Sequence, residues 1–106
     1  MTKYIVLNLN RDANDQGISS EYVDTLITIP IFNTKKEAFE WAVARAEKEC
    51  NDLNEGLDKD SDRSFGIPED NDYQKGIEVR VNCYFDDNNT ELVTRRLVLK
   101  AQEKQK

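Results

Sequence analysis

The residues best equipped for chemistry are carboxylates. Asp58, Asp60 and Asp62 stand at alternate positions, Ser64 follows, and Glu69 lies eleven residues after Asp58. Oxygens at that spacing can converge from a single loop on a hard cation such as calcium. Further on, Asp72 and the run Glu78-Val79-Arg80 bring acids and a base close together. Such groups could serve a magnesium-dependent nuclease or a carboxylate pair doing general acid–base work.

The stretch from Asp58 to Glu69 resembles an EF-hand calcium loop, with Phe65 at the usual apolar position. Two departures stand out. Arg63 occupies the position where the sharp turn takes glycine, and Pro68 precedes a stretch with no exiting helix. These aspartates and Glu69 are therefore weak metal candidates, and the expectation is no metal and no cofactor. The Glu78–Arg80 cluster has arginine where a nuclease would carry lysine, and its alternation is that of any exposed strand face. Histidine is absent, which removes the commonest general base at neutral pH and every Ser-His or Cys-His nucleophile. The chain is read as a non-enzyme.

Charge is the more informative feature. Between Glu47 and Asp72 ten acids face three bases, a net of −7 in a chain that carries −6 overall. The acidity is thus local. A concentrated negative strip repels nucleic acid, attracts basic protein surfaces and can imitate a line of phosphates. The expected function is a small protein-binding module, an inhibitor or regulator of bacterial or phage type. It would present this strip to a basic protein partner, such as a nucleic-acid-binding protein. The residues expected at that interface are Asp52, Glu55, Asp58, Asp60, Asp62, Asp70 and Asp72, with Trp41 as an aromatic anchor beside the helix stripe. Direct nucleic-acid binding is not expected. Arg80, Arg95, Arg96, Lys100, Lys104 and Lys106 make only a modest basic cluster in a chain of pI 4.7.

These side chains need a scaffold, and the pattern supplies one. Ile5, Leu7 and Leu9 alternate as in a half-buried strand over 3–10. A second strand is expected near 21–32, rich in β-branched residues and interrupted by Pro30, which marks an edge or an end. Thr34 and Glu37 form a capping-box pair. Phe39, Ala42, Val43, Ala46, Cys50 and Leu53 then recur at helical spacing up to Gly56, predicting a helix over 35–54. Residues 54–76 read as one long acidic loop, with a turn pinned by Phe65 and Ile67. A hairpin closes the chain: residues 77–85 alternate, Asp86-Asp87-Asn88-Asn89 turns, and a return strand covers about 91–100.

The predicted fold is a single α+β domain over 1–106, with strands and helix in the order ββαββ. An antiparallel sheet of about four strands would carry the helix on one face. The tail from 102 to 106 is expected to fray. Tyr4, Val6, Leu26 and Tyr84 are expected on the face away from the helix, where a second copy of the chain could dock. This gives the alternative reading, a homodimeric structural or regulatory domain, beside that of a degenerate calcium-loop protein. No apolar run is long enough to cross a membrane, and the N-terminal residues read as a strand rather than a leader, so a cytoplasmic protein without membrane contact is expected. Cys50 and Cys83 fall on inward faces and are expected as reduced thiols.

Overall fold

The computed structural model describes residues 2–13, 19–23, 28–68 and 75–102. Among these residues six strands and one helix follow each other as β1 (Thr2–Ala13), β2 (Ser19–Val23), β3 (Ile31–Phe32), α1 (Lys35–Glu55), β4 (Arg63–Gly66), β5 (Glu78–Phe85) and β6 (Thr90–Gln102). The expected α+β class with one helix on an antiparallel sheet holds. The four-strand count and the ββαββ order do not, because the sheet is larger. Its strands run β2-β1-β6-β5-β4, with β3 pairing β1 beside β2.

Two local causes enlarge it. The strand expected over 21–32 is split into β2 and β3, which take up successive parts of the same edge of β1: Leu9 faces Val23, while Tyr4 faces Phe32. Pro30 stands just before β3. Thr25, Leu26 and Ile27 lie outside the described residues. The segment expected as unbroken loop contains β4, which pairs antiparallel with β5 from Arg63↔Phe85 to Gly66↔Asn82. Four residues without clear alternation give no strand signal of their own. Their order comes from β5 on one side and from Asn54 of α1 on the other. The Asn54 amide accepts from the Phe65 N–H at 2.8 Å and donates to the Phe65 carbonyl at 3.0 Å. A side-chain amide thereby stands in for a neighbouring strand and blunts that edge of the sheet.

The helix begins as its sequence predicts, with the Thr34 hydroxyl accepting from the Glu37 N–H at 3.1 Å. It buries a row of small residues, Ala38, Ala42, Ala46 and Cys50, against the sheet. Small side chains let the helix approach closely, and Val6, Val79 and Val81 beneath it are fully buried. Each such valine contributes roughly 1.5 kcal/mol or more. At the far end of the sheet, Asn88 takes the positive φ that the β5–β6 turn requires.

The faces of β1 are reversed from expectation. Tyr4 and Val6 belong to the helix-covered core, while Ile5, Leu7 and Leu9 turn away. Both sides of β1 are apolar, so alternation alone cannot choose between them. The choice comes from register, which sets Val6 opposite Val98 under the helix. Tyr84 does alternate to the open face, as expected. A bulge at Val81/Asn82, where Val81 faces Thr94 and Asn82 faces Leu92, leaves Val93 as the extra residue.

Candidate functional site

The acidic strip begins on the last turns of α1 and runs through the turn into β4. Asp52, Glu55, Asp58, Asp60 and Asp62 are all exposed. Asp58, Asp60 and Asp62 border one shallow concavity with Ser61 and Arg63, in a turn closed by the Ser61 N–H donating to the Asp58 carbonyl at 3.0 Å. Lys48 pairs with Asp52 at 3.0 Å and Arg63 approaches Asp62 at 3.8 Å. Among the described residues, Glu55, Asp58 and Asp60 have no ion-pair partner. Among the same residues no three acids or thiols gather closely enough to hold a metal ion. Glu69, Asp70 and Asp72 lie outside the described residues.

Other acids are differently employed. Glu78 is buried on the open face of the sheet, where its carboxylate accepts from Arg80 and, at 3.1 Å, from Arg95. Arg95 also grips Glu21 with both branches of its fork, at 2.7 and 2.5 Å. That hydrogen bond holds the Arg95 guanidinium above its ordinary pKa. The Glu78-Val79-Arg80 run is thus part of a charge ladder drawn from β2, β6 and β5, with Val79 on the opposite face in the core.

Trp41 is half-buried, its ring 5.8 Å from that of Phe32 and tilted by 51°. The Arg45 guanidinium lies 5.0 Å over its centroid. Trp41 and Asp52 are brought together by a cavity of about 360 Å³ between α1 and the sheet, which also touches Leu53 and Lys48. Its floor was not foreseen. Arg96, which by composition belonged to an exposed basic cluster, is 8% exposed and sits under the helix opposite buried Asn8. Its Nη2 donates to Glu49 at 3.3 Å, and Thr94 donates to the other Glu49 oxygen at 2.5 Å. The Nε and Nη1 donors of Arg96 are buried with no partner among the described residues. One signal was available in the sequence. Adjacent strand residues point to opposite faces, so either Arg95 or Arg96 had to lie beneath the helix.

The two thiols are buried and free. Burial pushes both up from the ordinary thiol range, and Glu49 pushes Cys50 further the same way. Neither has the lowered pKa of a nucleophile. The described helix is not long and apolar enough to cross a membrane. No family model matches the chain, and no curated protein or solved structure matches it either.

Proposed function

We propose that this chain is a non-enzymatic protein-binding module that docks its acidic strip on a basic partner. One observation carries this reading: three acids of the fold are committed to arginines, whereas three neighbouring acids of the strip have no ion pair among the described residues. Glu21, Glu49 and Glu78 each engage an arginine of the fold. Glu55, Asp58 and Asp60 stand exposed with no ion-pair partner among the described residues. Exposed like charges crowded along one strip cost stability through mutual repulsion, and a basic partner relieves that cost while being steered toward it. If the partner is a nucleic-acid-binding protein, the strip occupies its basic groove in place of phosphates.

The test is an affinity capture from host lysate with mass spectrometry, comparing wild type with the D58N/D60N/D62N variant at low and high salt. Basic proteins held by the wild type should be lost by the variant and released by salt. A captured set identical for both proteins sinks the reading.

A second reading, self-association through the open sheet face, draws on the apolar row Ile31, Ile5 and Leu99, which lie side by side across β3, β1 and β6. Ile31 is 68% exposed there and Leu99 36%. Sedimentation over a wide concentration range decides it, since a monomer throughout excludes the dimer.

A further inference from the structure

Arg96 is an unusual residue to find beneath a helix. Its side chain is nine-tenths buried, at 9% exposure, and a guanidinium carries five N–H donors and no acceptor. Among the described residues it makes one hydrogen bond, from Nη2 to Glu49 at 3.3 Å, and Nε and Nη1 make none. Buried charge is retained only where something satisfies it. The Glu49 carboxylate does so incompletely, engaging Nη2 alone while its other oxygen accepts from Thr94. Arg96 lines the cavity of about 360 Å³ with Trp41 and Leu53 on its apolar side, and its Nε and Nη1 are closed off from that space until the guanidinium turns toward it. That volume lies in the range of small-molecule sites.

We propose that this cavity binds a small monocarboxylate with an apolar or aromatic body, its carboxylate held by Arg96. Turning about its terminal torsions, the guanidinium exchanges the long Glu49 contact for a charge-assisted fork on the incoming carboxylate. Lys48 and Arg45 at the mouth add positive charge, so three cations of the cavity face two acids, Glu49 and Asp52. Those two acids set the ligand class. They penalise a doubly charged phosphate more than a single carboxylate, and the planar carboxylate matches the guanidinium fork. Trp41 and Leu53 receive the body of the ligand. This inference is independent of the acidic strip and of any protein partner.

Trp41 is the single tryptophan of the chain, so its fluorescence reports the cavity directly. Phenylacetate titrated into the intact protein should change Trp41 emission saturably below about 10 mM, as expected for a small ligand with one charged anchor. Phenylacetamide, phenethylamine and inorganic phosphate should each bind at least about tenfold more weakly. R96K keeps the charge but not the fork, and should weaken phenylacetate by about tenfold while circular dichroism stays native. R45Q, at the exposed mouth, tests the same site without disturbing the core and should weaken it less. No saturable response to phenylacetate overturns the proposal, as does equal or tighter binding of phenethylamine or phosphate. It is overturned equally if folded R96K binds phenylacetate as wild type does.

Discussion

The two faces of the sheet are built from similar residues and reach opposite ends. Under the helix, Val6, Val79, Val81 and Val98 meet the small side chains of Ala38, Ala42 and Ala46 and lose nearly all contact with solvent. On the open face Ile5, Leu7, Leu97 and Leu99 are as apolar, yet they are only partly shielded, although Leu9 beside them is buried, and they share the surface with the Glu21–Arg95–Glu78–Arg80 ladder. The comparison teaches that side-chain hydrophobicity does not decide burial in this molecule. What lies opposite decides it. The polar groups obey cover as well: Asn8 and Arg96 are buried under the helix, where they line a cavity, and Glu78 is buried on the open face by its arginine partners.

Core substitution on the covered face should give the largest effect. Val81→Ala removes two methyl groups from a fully enclosed site and should cost about 2–3 kcal/mol in urea unfolding. A loss below about 0.5 kcal/mol would show that the helix seats loosely and that the faces differ less than their exposures indicate. Next comes the open-face ladder. Glu78→Gln leaves Arg80 and Arg95 without their shared carboxylate and should cost about 1–2 kcal/mol, less at high salt. If the cost is unchanged by salt, Glu78 acts by packing and the ladder is not electrostatic. Smaller still is Leu99→Ala on the open face, expected below about 1 kcal/mol for the monomer because Leu99 remains 36% exposed. A cost matching that of Val81→Ala would mean that this face is covered in solution and would favour the self-associating reading.

The smallest effect is a pH dependence confined to the covered face. Cys50 and Cys83 have thiol pKa values raised by burial. As pH rises past the ordinary thiol pKa of about 8.5, the unfolded thiols ionise before the folded ones, so unfolding is favoured. Stability is therefore full below that value and falls above it until the folded thiols ionise. Urea midpoints from neutral to alkaline pH should show this decline, and the C50A/C83A variant should flatten it.

Much of the scaffold was legible because local chemistry dictates it. The cap at Thr34, the apolar helix stripe from Phe39 to Leu53, the alternation of β5 and the Asn88 turn are all specified within a few residues. β4 was not legible, because its pairing comes from β5 and from the Asn54 amide, both distant in sequence. The buried face of β1 was misjudged for a similar reason: period-two alternation identifies two sides, and only the partner strand says which is inside. The acidic strip was visible as composition, and its described acids from Asp52 to Asp62 are exposed, whereas Glu49 engages Arg96 and Thr94.

The sequence by itself determined the helix, the hairpin, the local excess of negative charge and the lack of histidine chemistry, since each follows from residue identity and short-range spacing. Only the tertiary structure decided which side of each strand meets the helix, how Asn54 closes the sheet edge, and why one of two adjacent arginines is buried. Those outcomes depend on strand register and helix placement, which join residues far apart in the chain and leave no local mark on it.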